Sequence, residues 1–163
     1  MKKFKKLVSL LLTAIMVVSM ALPVLAADNN PHKITVTQNE ADKTEHTYDA
    51  YQIFAGDLAD KDGKKVLSNV IWGKGVNGEA LLAALKADKT FGEGEANAFA
   101  NCTTAAQVAE VLSGEAFASS TVGTSTLTDA FARVAENNLT DTVAGSATGV
   151  GNVEIAVTGS GYY

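Results

Sequence analysis

Two apolar runs, His46 to Phe54 and Val66 to Trp72, flank the polar sequence Asp60-Lys61-Asp62-Gly63. The runs are rich in aromatic and β-branched side chains, which suit a half-buried pleated surface, and the Asp-Gly pair tolerates positive φ. This pattern predicts two strands joined by a turn. The same four residues also invite a calcium loop, because such loops place oxygen ligands at alternating positions before a glycine. Counting from Gly63 puts Leu58 at the first ligand position and Asn69 where a bidentate carboxylate is needed, so the turn is the better reading.

The start of the chain is an export signal. Lys2, Lys3, Lys5 and Lys6 precede an almost unbroken apolar run, Leu7 to Ala21, and Pro23-Val24-Leu25-Ala26 leads to small residues suited to signal peptidase. Cleavage is expected between Ala26 and Ala27; a retained membrane anchor is the alternative, set aside because of the small-residue exit. Removing residues 1–26 takes away four lysines and no acids, so the formal charge of -5 becomes -9 over the remaining 137 of 163 residues. That acidity argues against nucleic acid as a partner, and the length suits one domain, 27–163, with its own core.

Past the signal, Ile34-Thr35-Val36-Thr37 is a short alternating strand followed by a polar turn, Asn39 to Glu45. The period then changes. Leu81, Leu82 and Leu85 share one face of a predicted helix over Gly78 to Ala87, with Asn77 as its N-cap. Thr104-Ala105-Ala106-Gln107 fits a capping box, so a helix carrying Val108, Val111 and Leu112 begins there and ends at Gly114. A longer helix runs from Thr126 to near Asn138, with Leu127, Ala130, Phe131, Val134 and Ala135 at helical spacing, and Ser119 to Ser125 is a loop. Asn152 to Thr158 alternates Val153, Ile155 and Val157 with polar or small neighbours, as a half-buried strand does, and Gly159-Ser160-Gly161 turns toward Tyr162-Tyr163. Strands, a helical middle and strands again imply an α+β arrangement or a β-sandwich with a helical insertion.

Candidate chemistry is sparse. Cys102 is the single cysteine, so no intrachain disulfide can form, and neither His32 nor His46 lies in a Cys-His signature; a buried small apolar role is expected for Cys102. These residues cannot furnish an ordinary zinc site without carboxylates, and Gly149-Val150-Gly151 lacks the lysine and helix of a phosphate cradle. No cofactor is expected. Asn101-Cys102-Thr103 and Asn138-Leu139-Thr140 match the glycosylation sequon, a pattern short enough to recur by chance.

As a string, HTYDAYQIFAGDL followed by LSNVIWG resembles the N-terminal domain of Gram-positive sortase-assembled pilins, the isopeptide-forming fimbrial proteins. The resemblance extends over nearly the whole exported chain, including Phe99-Ala100-Asn101-Cys102-Thr103 and the segment Gln107 to Leu112. It implies a mainly β fold with inserted helices, an Ig-like or collagen-adhesin B-like β-sandwich, on the cell surface or cell wall. The implied role is a non-enzymatic pilus subunit that takes part in adhesion, with other pilin subunits, a class C-type sortase and host surface proteins or glycans as partners, and with membrane contact only during export. In such pilins the matching Gly-Tyr-Tyr leads into an apolar strand, so the domain is expected to lack its last strand here. The family also implies an internal lysine-asparagine amide bond helped by a buried carboxyl, for which Lys33 is the candidate lysine by position. Its parity, shared with Thr35 and Thr37 and opposite Ile34 and Val36, points to solvent, and Glu154 likewise sits on the polar side of its strand. Neither a pilin-motif lysine in a proline-containing setting nor an LPxTG-type sorting signal is found in the sequence. Two rival readings stand: a non-polymerising cell-wall adhesin domain that binds a host protein or glycan, and a small secreted hydrolase built on a carboxylate pair or Cys102.

Overall fold

The computed structural model describes residues 31–61, 63–118 and 126–163. Residues 1–30, with the expected signal peptide and its Ala26–Ala27 cleavage point, Asp62, and the expected loop Ser119 to Ser125 lie outside them. Among the described residues the chain is mainly β sheet with a few helices: β1 Pro31–Thr37, β2 His46–Ala50, β3 Phe54–Lys61, β4 Lys64–Trp72, α1 Gly78–Ala87, α2 Ala105–Leu112, α3 Glu115–Ala118, α4 Thr126–Glu136, β5 Gly145–Gly149, β6 Asn152–Thr158 and β7 Gly161–Tyr162. Two 3-10 turns, Lys89–Phe91 and Gly94–Ala96, join α1 to α2. No described helix is long and apolar enough to cross a membrane.

The strands pair antiparallel in three ladders, β1 with β6, β2 with β5, and β4-β3-β7. The run His46 to Phe54 is not one strand. It breaks at Tyr51–Ile53, because the Gln52 and Ile53 carbonyls accept from the Gly75 and Gly73 amides at 3.0 and 2.8 Å, and the Ile53 amide donates to Tyr162 at 2.8 Å. Each of these bonds turns the chain out of one sheet and into another. The hairpin partner of β4 is therefore β3, with Phe54 opposite Trp72 and Lys61 opposite Lys64, and Gly63 takes φ +75° in the turn between them. The partner of β2 is β5, Gly-Ser-Ala-Thr-Gly, whose composition carries almost no strand preference. After the Gly159-Ser160 turn, the two-residue strand β7 pairs Tyr162 with Phe54 and Gly161 with Ala55.

Two apolar clusters result. The β1–β6 and β2–β5 ladders pack face to face around Ala50, Ile155 and Val157, with Ile34, Val36, Tyr48, Ala147 and Tyr163 against them. The strict alternation of β6 is what makes this possible, since Val153, Ile155 and Val157 are buried while their neighbours are exposed. The larger cluster joins the inner face of β3–β4 to the helices, and Leu81, Leu85, Phe99 and Val108 are fully enclosed in it. Each such side chain contributes about 1.5–3 kcal/mol of transfer free energy. Phe54 links sheet and helices by stacking on Trp72 with ring centroids 5.3 Å apart and lying 6.5 Å from Phe131.

The helices begin where their caps dictate. Asn77 Oδ1 accepts from the Ala80 amide at 3.1 Å, and Thr104 with Gln107 closes the capping box, the Gln107 amide reaching Thr104 Oγ1 at 3.3 Å and the Thr104 amide reaching Gln107 Oε1 at 3.2 Å. Local pattern does not announce Asn97. Its buried amide Nδ2 lies 3.2–3.3 Å from the Leu85, Lys86, Asp88 and Gly92 carbonyls, and its Oδ1 accepts from the Phe99 amide at 2.8 Å. One side chain thus closes the end of α1 and turns the chain toward α2. Replacing Asn97 by Ala leaves these buried groups unmatched, so a loss of about 2 kcal/mol is expected in urea unfolding. A loss below about 0.5 kcal/mol would show that water takes over the role.

Candidate functional site

Lys33 lies on β1 opposite Ala156, on the outward face that also carries Thr35, Thr37, Asn152, Glu154 and Thr158. Its Nζ donates to Glu154 Oε2, diagonally across the ladder, and the two side chains keep 65% and 56% of their exposure. An ion pair so open contributes less than about 1 kcal/mol, because water screens it and two long side chains must be held still. The setting is therefore wet. An amide-forming lysine needs a dry one, in which its neutral amine and a protonated carboxyl are both favoured. Asn152, the asparagine β6 contributes to this face, stands opposite Thr37, four residues along β1 from Lys33, or about 13 Å at strand rise. That exceeds the reach of the side chain.

A second polar cluster occupies the connection between β1 and β2. Asp42 Oδ1 accepts from the Thr44 amide at 2.8 Å and its Oδ2 meets His46 Nε2 at 2.9 Å, while Gln38 Nε2 donates to the Thr44 carbonyl at 2.9 Å. The Thr44 amide first, then the His46 ring, hold the Asp42 carboxyl far below its ordinary value of 3.8. Gln38 also bonds outward, its amide to the Gly151 carbonyl at 3.2 Å and its Oε1 from the Gly151 amide at 2.7 Å, which ties the loop to the β5–β6 turn.

At the opposite end, Tyr163 folds back. Its hydroxyl donates to the Gly159 carbonyl at 2.8 Å, with the Thr158 carbonyl at 3.1 Å, and Gln52 Nε2 donates to the Ser160 carbonyl at 3.3 Å and the Tyr163 oxygen at 3.4 Å. Burial raises the Tyr163 pKa above its ordinary value of 10.0. Gln52 and Tyr163 lie 111 positions apart, so nothing local in the sequence marks the clasp they form.

Cys102 is buried in the larger cluster, and burial pushes its thiol up, away from the thiolate form a nucleophile requires. Of the two sequon asparagines, Asn101 is exposed, whereas Asn138 spends its amide on the Val134 carbonyl at 2.7 Å. Among the described residues no three His, Cys, Asp or Glu side chains gather as a metal site. Comparison with protein-family models, with curated proteins and with solved structures finds no match.

Two outcomes follow from this geometry. The intact mass of the folded chain of residues 27–163 should equal the sequence mass, with no ammonia lost; a deficit of one ammonia would reveal an amide cross-link. The depressed Asp42 pKa fixes the sign of a pH effect: its contribution is complete above pH 3.8 and is lost as pH falls through the folded value. Accordingly, the stability difference between the native chain and Asp42→Asn should shrink as pH falls below about 4, as read by chemical unfolding at each pH.

Proposed function

We propose that the chain is the exported first domain of a cell-surface pilus subunit, an Ig-like sandwich with helices inserted between its strands, whose work is structural and adhesive. The stretch His46 to Asn77 carries this reading. Its wording resembles sortase-assembled pilins, and in the fold the same stretch supplies β2, the crossing at Tyr51–Ile53 and the β3–β4 hairpin that ties the two apolar clusters together. The acidic exported chain, the antiparallel ladders and the exposed polar strand faces suit a subunit that is joined covalently to its neighbours by a separate sortase and transmits force through strand ladders. The adhesin reading shares the fold and differs in assembly, so assembly is what separates them.

Antibody raised against residues 31–163 should detect, in boiled cell-wall extracts of the producing cells, a ladder of high-mass species. Deleting the sortase genes of those cells should collapse it. A single wall-bound band indifferent to that deletion would favour the non-polymerising adhesin, and a single soluble band would remove both readings.

A further inference from the structure

We propose that tension applied between Pro31 and the segment that follows Thr158 opens the fold by peeling β1 from β6, one residue pair at a time, starting at Pro31. The register carries the inference. Because β1 and β6 are antiparallel, Pro31 faces Thr158 and Thr37 faces Asn152. β1 therefore begins, and β6 ends, at the same end of one ladder. Antiparallel hydrogen bonds lie perpendicular to the strands, so separating Pro31 from Thr158 pulls along the bonds of the first pair only. The next pair takes force after the first has broken. Force applied along the strands would instead strain the whole ladder together.

Beyond Thr158 the chain is held by β7, two residues paired with β3, by the Ile53 amide on the Tyr162 carbonyl, by the Gln52 side chain on the Ser160 carbonyl and by the Tyr163 hydroxyl on the Gly159 carbonyl, none of which bridges β1 to β6. Lys33 and Glu154 bridge the ladder near the opening end, but their pair is exposed and contributes little. The stronger tie, Gln38 bonded twice to Gly151, sits at the far end, where peeling arrives last. As β1 leaves, Ile34 and Val36 leave with it, and the Ile155 and Val157 side of the smaller cluster is uncovered while the helical cluster stays closed. The domain is thus an extensible element whose first strand yields before its larger core.

The biological setting of this device rests on the proposed role in a filament, whereas the device itself is a property of the fold and can be tested without it. In single-molecule force spectroscopy, the full chain in a Cys102→Ala background would be held between marker domains at its two ends. The comparison is the same chain held at its C-terminal side and at a thiol supplied by Glu40→Cys, or by Lys43→Cys if the first variant does not fold. Both positions lie in the connection past Thr37, at the other end of the ladder, so this second geometry loads β1 against β6 lengthwise. Unfolding at a severalfold lower force from the two ends than from the internal thiol is the expected result. Equal forces, or a higher force from the ends, would overturn the inference. Either result is independent of whether cell-wall extracts contain a covalent ladder.

Discussion

The crossing at Tyr51–Ile53 is the constraint on which the rest of the structure depends. Three backbone hydrogen bonds, from Gly73, from Gly75 and to Tyr162, take the chain out of the β2–β5 ladder and into the β4-β3-β7 sheet within three residues. The approach is close. A Cβ on Gly73 would lie 2.1 Å from the Gln52 carbonyl oxygen, so only glycine lets the segment after β4 reach back this far. Once that contact is made, Phe54 is delivered to the helices and Ala50 to the smaller cluster, and the two apolar groups are separated along one continuous run of sequence.

Between β4 and β5 the helical section closes over the sheet through local rules and one buried exception. Caps at Asn77 and Thr104 satisfy the first amides of α1 and α2 from residues three positions away, which is why they are visible in the sequence. Asn97 does the comparable work for the end of α1 and for the following turns, yet its partners are spread from Leu85 to Phe99. A hydrophobic face can be counted by period, but a buried amide chosen to meet four carbonyls cannot. The cost of burying it unmatched explains why a polar side chain occupies so enclosed a position.

For the proposed structural role, direction matters more than the number of ladder bonds. The antiparallel pairing of β1 with β6 places Pro31 beside Thr158, so tension between these two points loads the ladder across its bonds, one pair at a time, rather than along its length. The wet Lys33–Glu154 pair adds charge complementarity to this face without adding a lock. Compact packing around Ile155 and Val157 and ready opening under tension are compatible properties of one arrangement.

Sequence alone determined the features that depend on neighbours in the chain: the alternation of Val153, Ile155 and Val157, the Asp-Gly turn before β4, the capped helices, and the outward parity of Lys33. Tertiary structure alone decided which strands pair. The run from His46 to Phe54 shows why, since its composition favours strand throughout and nothing in it marks the point where its hydrogen bonds pass from one partner to another. The weakly strand-forming Gly145–Gly149 shows the converse, because it is a strand only where β2 offers a ladder to complete. Periodicity and capping act over a few residues and are written in order along the chain; ladder partners, the Asn97 network and the Tyr163 clasp join residues that only folding brings together.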